Sequence, residues 1–70
     1  MKFYRVHAGA VVNVVKTSYG KGSSFSTERL TKDKTFGLDE FLQYDDGENM
    51  FIFEVGNLHF YVNANDVESF

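Results

Sequence analysis

The sequence predicts an all-β protein, and three observations lead to that prediction. The apolar residues occur in short runs rich in aromatic and β-branched side chains, which favour strands over helices. Two dipeptides typical of tight hairpins, Asp46-Gly47 and Gly56-Asn57, lie between such runs. The chain contains no proline, so glycine, asparagine, aspartate and serine must shape its turns.

In the first third of the chain we expect two strands followed by a loop. The runs KFYRVHA and AVVNVVKT consist mainly of strand-forming residues, and Gly9 marks a bend between them. The glycine- and serine-rich stretch from Ser18 to Ser24, SYGKGSS, is predicted to be a flexible turn or a long loop.

The middle of the chain, FSTERLTKDKTFGLDEFLQY, supports two interpretations. Residues 26–29, STER, are compatible with the first turn of a helix, whereas Phe36, Leu38 and Glu40 alternate as they would in a strand. We favour a strand from Thr35 to Tyr44.

The last third contains two hairpins followed by a polar segment. The segment DDGEN, residues 45–49, is predicted to join two strands, and the runs MFIFEV and LHFYV then pair across Gly56-Asn57. Both runs are almost continuously apolar, which predicts burial on both sides of this hairpin. One side would belong to the core, and the other would contact a partner or a second copy of the chain.

At 70 residues the chain is expected to form a single domain, residues 1–70. A domain of that size buries only about 60% of the surface that its unfolded chain exposes. No cysteine is present to form a disulfide, so stability must come from dense aromatic packing or from oligomerisation. The predicted core comprises Val6, Val12, Val14, Leu30, Phe36, Leu38, Phe51, Phe53, Val55, Phe60, Val62 and Val67.

Composition also bears on location. No apolar run of signal-peptide length follows Lys2 and Arg5, and the cysteine-free composition is compatible with the cytoplasm, which is the expected location. The chain begins with Met1 and is expected to be a complete, free-standing, small acidic protein without a membrane-spanning segment.

Charge is segregated along the chain, whose formal net charge is -3. Residues 1–38 hold all seven basic residues and two acidic ones, whereas residues 39–70 hold eight acidic residues and no Lys or Arg. Such asymmetry points to an ionic partner, unless strands of the two halves alternate in the fold and mix the charges on the surface.

Neither a catalytic site nor a metal or cofactor site is predicted. His7 and His59 are the only histidines, and a histidine within a strand is more often structural than a metal ligand. The adjacent carboxylates at 39–40 and 45–46 are typical of solvated turns. We therefore expect a protein that is not an enzyme.

Two features of the sequence bear on anion-related functions. GKGSS, residues 20–24, has the free glycine amides and the lysine of a phosphate-binding loop, but it lacks the spacing of the stricter motif, so a mobile loop is favoured. The net negative charge argues against nucleic-acid binding. The acidic second half would instead suit a mimic of nucleic acid that binds a protein.

From Leu30 onward the segments LTKDKTFGLDEF, DDGEN, VGN and YVNANDVESF follow one another. In this order they resemble the diverging turn, acidic loop, distal hairpin and closing segment of a Src-homology-3-type small barrel. The closing segment of that family contains a single helical turn before the last strand. The resemblance covers about residues 30–70, and it implies a five-stranded barrel with a short helical turn near the C-terminus.

The resemblance does not extend to the peptide-binding groove. Members of that family hold proline-rich peptides between aromatic side chains. At the corresponding positions this chain has Met50 in place of tryptophan, Asn63 in place of proline and Asp66 in place of tyrosine. The barrel is therefore implied, whereas binding of proline-rich peptides is not.

Together these observations favour a compact binding protein that occupies a surface of a protein partner. The small, acidic, proline-free chain is similar in style to accessory proteins of phages and other mobile elements, which suggests an inhibitor of a host factor. The alternative is a homo-oligomer that sequesters a small anionic ligand, such as a nucleotide. The residues expected at the binding surface are Lys16, Tyr19, Lys21, Lys32, Lys34 and Tyr44.

Overall fold

The computed structural model describes residues 3–18 and 22–69, which form two antiparallel β-sheets. The strands are β1 (Phe3–Val6), β2 (Val11–Ser18), β3 (Gly22–Arg29), β4 (Lys34–Gly37), β5 (Phe41–Asp45), β6 (Met50–Val55), β7 (Leu58–Asn63) and β8 (Val67–Ser69). One sheet has the order β4-β1-β8, and the other has the order β3-β2-β7-β6-β5. The prediction of an all-β fold is confirmed.

The chain passes between the sheets where a bend or a short 3-10 helix interrupts the strands. Gly9, with a φ of 91°, bends the chain between β1 and β2 as predicted. The 3-10 turns Leu38–Glu40 and Ala64–Asp66 separate β4 from β5 and β7 from β8. The second turn is the helical turn predicted near the C-terminus, and the Asn63 side chain caps it by accepting the Asn65 amide at 2.9 Å. These interruptions produce eight short strands in the described chain instead of the expected five.

Strand β3 corrects the expectation for the segment after the first loop. It pairs with β2 without a break, from Val11 opposite Arg29 to Ser18 opposite Gly22. Gly22 to Ser24 therefore belong to a strand and not to a loop, and residues 26–29 are extended and not helical. Hydrogen-bonded pairing with the valine-rich β2 outweighs the weak preference of this polar segment for loop or helical conformations. Residues 19–21 lie outside the described part of the chain.

The strand expected from Thr35 to Tyr44 is divided in two by the first 3-10 turn. The Gly37 amide donates a hydrogen bond of 2.8 Å to the Glu40 carboxylate, and this contact holds the turn. Leu38 therefore leaves the alternating pattern of a strand and is 52% exposed, so its assignment to the core is wrong.

Both predicted C-terminal hairpins are present. Between β5 and β6 the Asp45 carboxylate accepts hydrogen bonds from the amides of Gly47 and Glu48, at 3.0 and 3.2 Å. Between β6 and β7, Gly56 has a φ of 61°, in the left-handed region that glycine adopts without a steric penalty. Asn57 ties this second turn to β2, because its side-chain amide donates to the backbone carbonyl of residue 17 at 3.1 Å.

Replacing Gly56 with alanine is expected to lower the free energy of unfolding by about 1 to 2 kcal/mol, because an L side chain at positive φ is strained. Gly47→Ala is the matched control, since Gly47 lies in the other turn and its φ falls outside the left-handed region. Urea unfolding of both variants measures the difference. Equal losses would mean that the φ of Gly56 is not what the β6–β7 turn requires.

The core lies between the two sheets and agrees largely with the sequence-based assignment. Seven predicted members are buried, namely Val6, Val12, Val14, Phe36, Phe53, Phe60 and Val62. Four more, Leu30, Phe51, Val55 and Val67, are partly buried and pack against this cluster. Ala10 and Ile52 are also buried, although the sequence did not single them out.

Ile52 is buried on the other side of the five-stranded sheet. It is 7% exposed and does not belong to the central cluster. Its neighbours Phe51 and Phe53 face the core, so alternation places Ile52 on the outer face, opposite Tyr61 and Gln43 of the adjacent strands. Burial on the outer face of the β6–β7 hairpin, as predicted, is therefore observed at Ile52.

Candidate functional site

An open groove of about 490 Å³ lies between the β2–β3 hairpin and β4. Its floor is apolar and its walls carry polar and charged groups. The lining residues are Val12, Val14, Lys16, Ser24, Ser26, Glu28, Leu30, Lys34, Leu58 and Phe60. Apolar cavities of this size with a few polar groups are typical of binding sites.

The register of the β2–β3 hairpin explains why a groove forms there. Lys16 opposes Ser24, and the buried valine at position 14 opposes Ser26, so small hydroxyl side chains of β3 stand beside the larger inward side chains of β2. Serine fills far less volume than the valines and aromatics that close the rest of the core. The inward face of β3 is therefore left open, and all residues from Ser24 to Arg29 are exposed.

Two of the predicted lysines line this groove. The Lys34 ammonium lies 5.3 Å from the ring centroid of Phe36 and 5.4 Å from that of Phe60, which is the geometry of a cation–π contact. Lys16 reaches the groove from β2. The aromatic contact holds the Lys34 ammonium above the apolar floor.

A third predicted lysine lies beside the same groove. Lys32 and Lys34 both line a smaller depression of about 380 Å³ formed by residues 30–35, and the two depressions share Leu30 and Lys34. The structure therefore brings Lys16, Lys32 and Lys34 to one side of the molecule. We call the larger depression, with its lining residues, the lysine groove.

None of the three lysines forms an ion pair within the described part of the chain. The ion pairs of His7 with Glu68 and of His59 with Glu54, at 3.2 and 2.8 Å, involve no lysine. The neighbouring Asp33 carboxylate instead accepts the backbone amide of residue 8 at 2.8 Å. Among the residues that the structure describes, Glu28 is the one carboxylate that lines the lysine groove itself.

The remaining predicted site residues do not join the lysines. Tyr44 lies in β5, at the opposite edge of the five-stranded sheet from β3. Its hydroxyl donates to the Asn49 side chain at 2.7 Å, and its ring packs against Phe51 with centroids 5.1 Å apart. Tyr19 and Lys21 lie outside the described residues.

The segregation of charge along the sequence persists across the five-stranded sheet. Strands β3 and β2, from the basic half, occupy one side, and β7, β6 and β5, from the acidic half, occupy the other. The acidic residues Asp45, Asp46 and Glu48 lie at the β5–β6 turn, away from the lysine groove. In the three-stranded sheet the halves do meet, because β1 pairs with β8.

Both histidines pair with glutamates on neighbouring strands. His59 lies directly opposite Glu54 in the β6–β7 pair, and His7 follows β1 beside Glu68 of β8. Residues 3–18 and 22–69 contain no group of three or more metal-ligating side chains in a common site. Each histidine thus makes a polar contact with a glutamate of a neighbouring strand.

The sequence did not reveal that β3 supplies the wall of the groove. Its signal is the alternation in SSFSTER, where Ser24, Ser26 and Glu28 fall on one face while Phe25 and Thr27 fall on the other. In a strand that pairs with the valine-rich β2, an inward row of polar residues that includes two serines indicates that this part of the core is not filled by apolar side chains.

Proline-rich peptides are expected not to bind this protein. Met50 and Asn63 are cross-strand partners in β6 and β7, and Asp66 lies in the 3-10 turn that follows. None of the three side chains offers the flat aromatic surface on which proline rings stack. Titration with a PxxP peptide, followed by amide chemical shifts, tests this expectation. Saturable shifts at Met50 and Asn63 would contradict it.

Comparison with known proteins gave no relative: no protein-family profile, no curated protein and no solved structure matches this chain. The described residues contain no helix that is both long and apolar enough to cross a membrane.

Proposed function

We propose that this protein is a non-enzymatic binding protein that holds an acidic segment of a partner protein in the lysine groove. The observation that carries the proposal is the position of Lys16 and Lys34, which line one groove above an apolar floor and form no ion pair among the described residues, although Glu28 lines the same groove. Glutamate or aspartate side chains of a partner would neutralise both ammonium groups.

The floor of the groove favours a polypeptide segment as the partner. Leu58, Phe60 and the two inward valines of β2 offer apolar surface beside the lysines. A peptide places methylene groups on such a floor while its carboxylates reach the rim, so hydrophobic burial and charge act together. A partner whose acidic segment is bound in the groove could not use that segment for its other contacts. We propose inhibition of a host factor as the biological result.

We also infer that the two sheets are the halves of a Src-homology-3-type barrel. Three features support this inference. The first and last strands, β1 and β8, pair with each other; β4 and β5 continue from one sheet into the other; and a 3-10 turn precedes the last strand. The β2–β3 hairpin then corresponds to the long first loop of the family, and the lysine groove lies along it.

A small anionic ligand is the second candidate. The observation in its favour is that Phe60 lines the groove together with two lysines, because an aromatic ring beside ammonium groups suits a nucleotide. The groove volume of about 490 Å³ is compatible with such a ligand.

Calorimetric titration with a short oligoglutamate peptide and, separately, with ATP tests the proposal. The peptide is expected to bind saturably and more weakly as salt is added, since exposed charges are screened over about 8 Å at physiological ionic strength. An oligolysine peptide of equal length is the control and should not bind. Binding of ATP without binding of oligoglutamate would replace the proposal with the second candidate.

A further inference from the structure

Strand β3 is a long, open edge of the five-stranded sheet. It comes first in the strand order, so among residues 3–18 and 22–69 it pairs with β2 on one side only. It spans eight residues, Gly22–Arg29. Every second residue of such an edge presents an unpaired N–H and C=O to the outside, which makes the edge a template for another strand.

The hydrogen bonds of Leu30 show which residues present these groups. Leu30 donates its amide to the Ala10 carbonyl at 2.9 Å and accepts the Gly9 amide at 2.8 Å, so its backbone groups face β2. Because backbone groups alternate along a strand, those of Phe25, Thr27 and Arg29 face away from β2. These three residues therefore form the free edge.

Most of the usual protections of an edge strand are missing from β3. Proteins guard such edges with proline, charged side chains, bulges or short length, and the charged residues of β3, Glu28 and Arg29, lie at its C-terminal end only. The strand GSSFSTER contains neither proline nor lysine, and its register with β2 is unbroken. The opposite edge, β5, spans only five residues and contains a register shift between Phe41 and Gln43. Of the two edges of the five-stranded sheet, the β3 edge is therefore the one that is open to pairing.

The two faces of β3 differ in chemistry. On the inward face, Ser24 and Ser26 are short enough for Lys16 of β2 to reach over them toward a strand laid about 4.8 Å beyond β3. On the outer face, Phe25 is 66% exposed and lies opposite Val15. An added strand would therefore meet Lys16 on the inward face, and on the outer face it would meet the exposed ring of Phe25 followed by Thr27 and Arg29.

We propose that the partner supplies an extended segment that pairs antiparallel with the β3 edge, with acidic side chains toward the lysine groove and apolar side chains toward Phe25. This inference rests on the proposed function and adds the conformation and the residue pattern of the bound segment. Strand addition of this kind gains affinity from main-chain hydrogen bonds and specificity from alternate side chains.

Charge favours such a partner over a second copy of this chain. A second β3 would bring another set of lysines to the same side and would offer only Glu28 as a carboxylate on its inward face. Like charges would then face each other across the new pair, which destabilises it. An acidic segment from another protein removes that repulsion.

A peptide of alternating glutamate and valine tests the inference. In antiparallel pairing, the residues that oppose Phe25, Thr27 and Arg29 point their side chains to the Phe25 face and their N–H groups to β3. These residues are the valines. N-methylation of the valines should therefore weaken binding by about tenfold or more, because it removes the donors and leaves edge carbonyls unsatisfied. N-methylation of the glutamates should leave affinity within about twofold, because their N–H groups face solvent.

Substitution at the edge provides an independent test. Thr27→Pro removes an outward N–H and is compatible with an edge strand, and it should also weaken binding of the unmethylated peptide by about tenfold. Thr27→Ala is the matched control, because it removes the same hydroxyl hydrogen bond to Asn13 and keeps the N–H. Thermal unfolding checks that both variants are folded, and the peptide-methylation test does not depend on that outcome.

The two proposals fail in different ways. If oligoglutamate binding is lost on charge reversal of Lys16 and Lys34 while the two methylated peptides bind equally, the lysine groove stands and strand addition is overturned. If binding is lost only when the glutamates are N-methylated, the antiparallel arrangement is also overturned. A wild-type dimer in sedimentation that dissociates in Thr27→Pro would show a second copy on the edge, against the inference.

Discussion

Replacing Phe53 with alanine is expected to destabilise this protein by about 3 to 5 kcal/mol, the usual cost of removing a fully packed aromatic ring. Phe53 is 0% exposed, and its ring stacks on Phe36 with centroids 4.2 Å apart and planes inclined by 3°. Tyr4 packs against it from the other sheet, at 5.5 Å. The ring therefore joins both sheets, and its loss opens a cavity at their contact.

Because the chain is short, this loss of stability is large relative to its total free energy of unfolding. Domains of about 70 residues have roughly 4 to 10 kcal/mol of stability, so the substitution removes a large part of the total. Urea unfolding of Phe53→Ala measures the effect. Phe25→Ala is the control, because Phe25 is largely exposed and should cost less than about 1 kcal/mol. Similar losses in the two variants would contradict the assignment of the core.

The second large effect is expected from charge reversal in the lysine groove. The double variant Lys16→Glu, Lys34→Glu should lower the affinity for an acidic peptide by about ten- to hundredfold and remove most of its salt dependence. Two attractive charges become repulsive, and association slows because electrostatic steering is lost. Lys34 also contacts two aromatic rings, so Lys16→Glu alone is measured first, and thermal unfolding accompanies both variants.

The matched control reverses two carboxylates at the far side of the sheet. Asp46→Lys, Glu48→Lys changes the same number of charges at the β5–β6 turn, and Asp45 is retained because it holds that turn. This variant should bind the acidic peptide as well as the wild type or slightly better. If a natural partner loses affinity with this control and is indifferent to the lysine variants, the acidic half acts as a mimic of nucleic acid.

Much of the fold followed from local signals in the sequence. The turns at residues 45–49 and at Gly56 are favoured by their own residues, a carboxylate that accepts turn amides and a glycine at positive φ. The bend at Gly9 is of the same kind. Alternation between turns also predicted most of the buried residues, because one face of each strand must pack on the other sheet.

The elements that depend on tertiary pairing were not predictable from the sequence alone. Strand β3 is polar and serine-rich, and it is a strand because β2 lies beside it over its full length. Leu38 follows Phe36 by two residues and would share its inward face in a continuous strand, which predicts burial. The hydrogen bond from Gly37 to Glu40 turns the chain at that point, and Leu38 is exposed.

The candidate site shows the same division between local and tertiary information. Residue type and charge alone predict a binding role for the lysines, whereas their grouping depends on β2 and β4 facing each other across the open side of β3. Tyr44 is predicted to supply aromatic surface to the site, yet strand order places it at the opposite edge of the sheet from β3. Which surface residues lie together is decided by strand order, and no local pattern in this chain encodes that order.

Amide chemical-shift mapping with the acidic peptide tests the central claim, that the lysine groove is the binding site. The account predicts saturable shifts at Lys16, Ser24, Ser26 and Lys34, with little change at the β5–β6 turn or at Tyr44. Shifts confined to residues 44–50, or none in the groove at saturation, would contradict it.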